Sequence, residues 1–309
     1  MNYTLNQLRI FSKIVEYKSI TKASENLHLT QPAVSIQLKN FQDQFELPLT
    51  EVINKRIYIT DFGYEIAAAA NKILEEVSEI QYKKALYQGK LTGKLKIAVV
   101  STGKYVIPFL LADFLKDNPD IELILDVSNR GTVIQNLEKN EVDFVLMTRL
   151  PKELNLETIE LIKNKLVFVG PKGSLSLYKK QKNNFFDHLP LIFREKGSAT
   201  RSAMEDFVEK ENLPLDKNIT LTSNEAVKQS VISGIGCSIV PLIGIKNELM
   251  LGQLEIIPLK GLPIISNWYL VHLRDKKLMP AASAFKEFLN KEIRNLELKY
   301  FDWTLTNEK

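Results

Sequence analysis

LNQLRIFSKIVEYKSITKASENLHLTQPAVSIQLKNFQDQFELPLTEVINKRIYITDFG, residues 5–63, decides the fold. Leu5, Leu8, Phe11 and Val15 recur at helical spacing. Ser19 offers a hydroxyl to cap a second helix running through Ala23 to Leu27, and His28 and Leu29 form a turn. Thr30 is a good cap for a third helix. Pro32 fits its first turn, where amide hydrogens have no intrahelical partner, and Val34, Leu38, Phe41 and Phe45 continue one apolar stripe. A basic hairpin follows, so the layout is an all-α winged helix-turn-helix. In that motif the start of the second helix of the pair enters the major groove of DNA, where Gln and Ser hydrogen-bond base edges and an apolar side chain touches a thymine methyl. Thr30, Gln31, Pro32, Ser35, Ile36 and Lys39 lie on the outward side, with Gln31, Ser35 and Ile36 the best candidate readers. Lys55 and Arg56 are candidate wing contacts to the phosphate backbone.

Charge does not carry this assignment. Residues 1–63 hold seven Lys and Arg against six Asp and Glu, whereas phosphate neutralisation usually dominates DNA affinity. A three-helix protein-binding module with an ordinary solvated face stands as the alternative. The segment resembles the DNA-binding domain of LysR-type transcriptional regulators at Leu5-Asn6-Gln7-Leu8-Arg9-Ile10-Phe11, Ala23, Leu29-Thr30-Gln31-Pro32-Ala33-Val34-Ser35, Thr60 and Gly63. Two departures stand out. Ile36 takes a place where the family usually has a polar or basic residue, and Thr50 and Val52 stand where it has an aromatic followed two places later by Arg.

Residues 64–88 contain no Pro or Gly and place Ile66, Ala70, Ile73, Val77, Ile80, Lys84 and Tyr87 in a heptad seam. A helix with so narrow a stripe gains most of its stability from a partner, so the spacing predicts a dimerisation helix; packing on the chain's own body is the alternative. A dimer would present two recognition helices to the half-sites of a palindrome. Gln88 to Gly93 reads as a hinge.

From Lys94 the apolar runs LKIAVVS, IELILDVS, DFVLMT, KLVFVGP, LPLIF, NITLTS, CSIVPL and NWYLVHL alternate with helical segments, which predicts doubly wound α/β structure with mainly parallel sheets. This region resembles the effector-binding half of the same family, implying two α/β lobes similar to periplasmic binding proteins. The expected domains are 1–63, 64–93 and 94–309, with one lobe from 94–163 and 268–309 and the other from 164–267. The runs VVSTGKYVIPFLLADFLKDNPDIEL, SNRGTVIQNLEKNEVDFVLM and REKGSATRSAMEDF look most like the branch controlling carbon-fixation and related central-carbon operons. Thr148-Arg149-Leu150-Pro151 replaces that branch's Gly-Arg-Pro-Pro run.

Between the lobes, Ser101 and Thr102 end a strand just ahead of a helix beginning near Lys104, and Arg194 ends another ahead of Gly197, Ser198, Thr200 and Arg201. Hydroxyls, helix amides and guanidinium groups at strand ends suit a carboxylate or phosphate. Thr132, Ser198 and Thr200 are equally well explained as helix caps. Arg201, inside its helix, is open between a structural and a ligand role.

The remaining composition sets outer bounds. A chain of 309 residues with net charge +4, 45% hydrophobic and 25% charged residues, suits a globular protein with an anionic partner. The start MNYTLNQLRIF lacks a secretory pattern and no apolar run is long enough to span a membrane, so a cytoplasmic location is expected. The single Cys237 reads as a buried structural thiol, and His28, His188 and His272 show no ligand spacing, so neither metal nor cofactor is expected. No dinucleotide loop, P-loop or serine elbow is present. The reading is a non-enzymatic regulator binding double-stranded promoter or operator DNA and a small anionic metabolite. The resemblance implies a homodimer or homotetramer, with RNA polymerase a further candidate partner. A ligand-binding accessory protein whose head serves oligomerisation, and an enzyme on the same scaffold, are the competing classes.

Overall fold

The computed structural model describes residues 3–54, 56–87, 90–181, 185–213 and 218–305. The chain forms two compact units, residues 1–90 and 91–309.

In the first unit, α1 (Leu5–Tyr17), α2 (Ile20–Leu27) and α3 (Gln31–Gln42) precede the hairpin β1 (Thr50–Ile53) and β2 (Arg56–Ile59), and α4 runs Asp61–Tyr87. Local chemistry sets the starts. Thr4 and Gln7 form a reciprocal capping box, and Ser19 and Thr30 accept hydrogen bonds from the Lys22 and Ala33 amides. His28 (φ 54°) closes α2 in a left-handed cap. Leu8, Phe11, Ala23, Val34, Leu38 and Phe41 are buried together, while Leu5 in the first turn is exposed and Phe45, beyond the end of α3, is half-buried. Phe11, Phe41, Phe45 and Phe62 form a chain of tilted and edge-on ring contacts at 5.3, 5.1 and 6.0 Å between centroids.

The expected heptad seam divides. Ala67 and Ala70 are buried in the head's own core with Ile66 and Leu74 against it, because small side chains let α4 approach α1. Only further along do Ile73 and Ile80 remain exposed. The side chains of Lys84 and Tyr87 lie outside the described residues.

The second unit comprises β3 (Gly93–Val100), a short 3-10 turn (Gly103–Tyr105), α5 (Ile107–Asp117), β4 (Ile121–Ser128), α6 (Arg130–Glu138), β5 (Phe144–Met147), β6 (Leu156–Pro171), α7 (Ser174–Lys180) and α8 (Phe185–His188). It continues through β7 (Leu191–Arg194), α9 (Ala199–Lys210), β8 (Asn218–Leu221), α10 (Asn224–Ile232), β9 (Ser238–Pro241), a second 3-10 turn (Leu242–Gly244), α11 (Lys246–Met250), β10 (Leu254–Ile256), β11 (Ile264–Leu273) and α12 (Pro280–Leu305).

All eight apolar runs contain strands, but the sheets are mixed rather than mainly parallel. β3 pairs parallel with β4 and β5, and β7 with β8. β6 pairs antiparallel with β9, β10 and β11. The reason is the length of β6 and β11. They form one ladder from Leu166↔Ile264 to Leu156↔Leu273, with a register shift between Asn267 and Tyr269. Each strand serves two cores. Ile159, Leu161, Trp268 and Leu270 pack with Leu95, Ile97, Phe144 and Phe285, whereas Leu166, Phe168 and Ile264 pack with Phe185, Phe193 and Ile239. The result is two lobes joined by the β6–β11 ribbon. Among the described residues, no helix is long and apolar enough to cross a membrane.

Candidate functional site: a recognition helix and an interlobe cleft

On α3 the apolar stripe turns Val34, Leu38 and Phe41 inward, which leaves Gln31, Pro32, Ile36 and Lys39 exposed and Ser35 half-buried along the outward side. Ile36 is 58% exposed, so this branched side chain contributes little to the core and is free to meet a ligand. The Thr30 hydroxyl accepts the Ala33 amide at 3.4 Å. Arg56 is exposed on β2, and Lys55 lies outside the described residues. The wing explains one departure from the family pattern. Thr50 is buried and donates to Gln42 Oε1 at 2.6 Å, so it serves to fasten the hairpin to α3. Val52 and Ile53 instead make the outer wing apolar, at 70% and 51% exposure.

In the second unit a small cleft, open to solvent, lies at the carboxyl ends of three strands. β3 contributes Val100, then Ser101 and Thr102; β5 contributes Met147, then Thr148 and Arg149; β7 contributes Arg194, then Glu195. Asn129 and Arg130 at the start of α6, and Ser198, Ala199 and Thr200 at the start of α9, complete the lining. Strand ends and helix starts meet here because the connections from β4 to α6 and from β7 to α9 cross from strand to helix at this edge, which is where α/β sheets bind ligands. The lining includes Arg130, Arg149 and Arg194 and one carboxylate, Glu195, which pairs with Arg194; Arg130 Nη2 donates to the Arg149 carbonyl at 3.5 Å. The buried Nε of Arg130 has no hydrogen-bond partner, a costly state for a cationic donor unless a ligand completes it.

The lobes touch through Ser101. Its Oγ accepts from Arg194 Nη2 at 3.1 Å and from Asn224 Nδ2 at 3.2 Å. Arg194, only 3% exposed, donates its Nε and Nη2 to the two carboxylate oxygens of Glu195 at 2.7 and 2.8 Å, and its Nη1 to Asn224 Oδ1.

Of the sequence candidates, Ser101, Thr102, Arg194, Ser198 and Thr200 line the cleft, whereas Lys104, Thr132 and Arg201 do not. The Lys104 ammonium lies 5.1 Å over the Tyr105 ring. Thr132 sits in the first turn of α6 with its amide held by the Asn129 cap at 3.0 Å. Arg201 is used structurally, donating to the Arg194 carbonyl at 2.6 Å and to Glu205 at 2.6 Å while resting over the Phe193 ring. Thr148 and Arg149, from the run that departs from the branch's pattern and so bears on the lining of the cleft, do lie in that lining. Asn129, Arg130 and Glu195 are lining residues that the sequence does not single out.

Cys237 is fully buried, its Sγ donating to the Leu189 carbonyl at 3.2 Å, and burial pushes its thiol pKa up. Among the described residues, no group of His, Cys, Asp and Glu could hold a metal ion.

Residues 5–64 match the model of bacterial regulatory helix-turn-helix proteins of the lysR family, and residues 88–294 match the LysR substrate binding domain. The chain is 36% identical over 306 residues to a RuBisCO operon transcriptional regulator of Allochromatium vinosum, covering 97% of this chain and 99% of that one. It is 34% identical to the transcriptional activator CmpR of Synechocystis, covering 93% of this chain and 95% of the relative. Among solved structures, a Synechocystis CcmR regulatory domain in complex with 2-PG matches 66% of this chain and 99% of that chain, with 29% identity and TM-score 0.58. Full-length CbnR complexed with its target DNA matches 95% of this chain and all of that one at TM-score 0.61, where 18% identity shows the fold alone. Such relatives are transcriptional regulators, not enzymes or transport accessories. With a matching head, a matching two-lobed domain and relatives aligned end to end, the chain belongs to the LysR family of transcriptional regulators.

Proposed function

We propose that this regulator reads operator DNA through Gln31, Ser35 and Ile36, supported by Thr30, Pro32, Lys39 and the wing residues Lys55 and Arg56, and that a small anionic metabolite in the interlobe cleft controls it. The observation carrying the ligand class is the convergence of Arg130, Arg149 and Arg194 on one cleft with a buried Arg130 Nε left without a partner. Ser101, Thr102, Ser198 and Thr200 supply hydroxyls, and the α6 and α9 starts supply amides, a donor set matched to phosphate or carboxylate oxygens. The matching CcmR regulatory domain was solved in complex with 2-PG, which makes 2-PG a first compound to test. Two relatives named RuBisCO operon transcriptional regulators direct the search for target genes to carbon-fixation operons.

The active form is a homodimer or homotetramer in the cytoplasm. The exposed Ile73 and Ile80 of α4 support pairing between copies along the outer part of that helix. Ligand that binds one arrangement of the lobes better than another shifts their populations, and so alters how the heads engage DNA and RNA polymerase.

The test is recovery of genomic fragments bound by the purified chain, with and without phosphorylated and carboxylic metabolites. Short interrupted palindromes whose footprint changes with an anion are expected. Absence of any sequence enrichment from a folded dimer would reject the DNA assignment, and footprints indifferent to every anion would reject the ligand assignment.

A further inference from the structure

Resting on the anion-binding reading of the cleft, we propose that Glu195 is a built-in competitor for the ligand: its carboxylate occupies Arg194, and an anion binds by displacing it.

The geometry of Arg194 carries the argument. A guanidinium has five N–H donors, and four are committed here: Nε and one Nη2 proton to Glu195, the second Nη2 proton to Ser101, and one Nη1 proton to Asn224. The Nε and Nη2 edge holds both carboxylate oxygens, the same bidentate arrangement by which Arg captures a free carboxylate or phosphate. An incoming anion therefore meets an edge already filled by an anion of the chain itself. Two negative groups at one guanidinium repel each other, so ligand and Glu195 cannot share this edge.

Which partner yields is set by their surroundings. Arg194 is 3% exposed, ends strand β7, and has its backbone carbonyl held by Arg201. Glu195 is 25% exposed and opens the connection through Gly197, whose φ of +88° makes a turn. The carboxylate can swing to water while the guanidinium stays, and Arg194 keeps Ser101 and Asn224. The device sets a threshold. An anion must outcompete an intramolecular carboxylate, which favours ligands with more charge and more oxygens than a single carboxylate.

Calorimetric titration of the full-length protein with inorganic phosphate and with 2-PG tests this, using wild type, Glu195→Gln, Glu195→Asp and Arg194→Lys. Thermal melts without ligand establish that each variant is folded. Removing one charged competitor should tighten binding by about tenfold in Glu195→Gln, with a smaller gain in Glu195→Asp, whose shorter arm reaches Arg194 less well; Arg194→Lys should weaken it. Binding by Glu195→Gln where wild type binds too weakly to measure would support the proposal equally. Unchanged or weaker binding in both Glu195 variants, alongside a loss in Arg194→Lys, would overturn the competitor role and leave the cleft assignment standing. If no folded variant binds either anion, the cleft reading falls and the proposal with it.

Discussion

The carbonyl oxygen of Leu49 occupies the space where a side chain on Gly63 would begin: a Cβ there would lie 2.1 Å from it. The approach is drawn tight by the Thr60 amide, which donates to that carbonyl at 3.1 Å, and by the Gly63 amide, which donates to Thr60 Oγ1 at 2.9 Å. Backbone cannot retreat as a flexible side chain would. Gly63→Ala should destabilise the head by about 2–3 kcal/mol and abolish operator binding while ligand binding by the second unit persists. Urea unfolding combined with gel shifts and anion titration checks the separation.

Gln31 is exposed at the first position of α3 and lies outside the head's core. Gln31→Ala should therefore leave the melting temperature unchanged while costing about 1–3 kcal/mol of discrimination at one or two operator positions. Binding selections from a randomised operator pool read this directly. An unchanged base preference removes Gln31 from the readers.

Glu157 on β6 is bound by the Lys286 ammonium on α12, and that hydrogen bond holds its carboxyl below the ordinary value of 4.5. Because the folded pKa is depressed, the contribution to stability is present above about pH 4.5 and is lost as pH falls through the folded value. Lys286→Met should lower stability at neutral pH and flatten its fall on the acid side. Denaturation midpoints collected from pH 7 downward for both proteins provide the comparison. Curves that remain parallel across the window would show that Lys286 does not set the Glu157 titration.

Cys237 should resist alkylation in the native protein, since burial disfavours its thiolate and the thiolate is the reactive form. Mass spectrometry after iodoacetamide treatment should find the adduct only when denaturant is present. Rapid modification without denaturant would show that the thiol is accessible in the folded protein and overturn its structural role.

The helix-turn-helix was legible because its signals are local: Ser19 and Thr30 cap the helices they precede, and the intervals among Val34, Leu38 and Phe41 specify the inward face. The first half of β6 is hard to read in sequence because Glu157, Glu160 and Lys163 interrupt its apolar residues, although Ile159 and Leu161 keep the two-residue period of a half-buried strand. β10, three residues long, is too short to show a period. Ser101 and Arg194 stand out because one follows the last residue of a strand and the other is the last residue of one. Arg201 looked equivalent in sequence, and only its bonds to the Arg194 carbonyl and Glu205 set it behind the cleft. Glu195 left no sequence signal, since its meaning depends on what else holds Arg194.

The β6–β11 ladder constrains what kind of message can leave the cleft. A pair of hydrogen-bonded strands resists stretching, because the backbone is near its full extension, but it yields to twist and bend, most readily where the register slips between Asn267 and Tyr269. The ribbon therefore behaves as a torsion bar. Any movement of one lobe against the other is therefore taken up as a change of angle along this ribbon rather than of distance, with the slip between Asn267 and Tyr269 as its softest point.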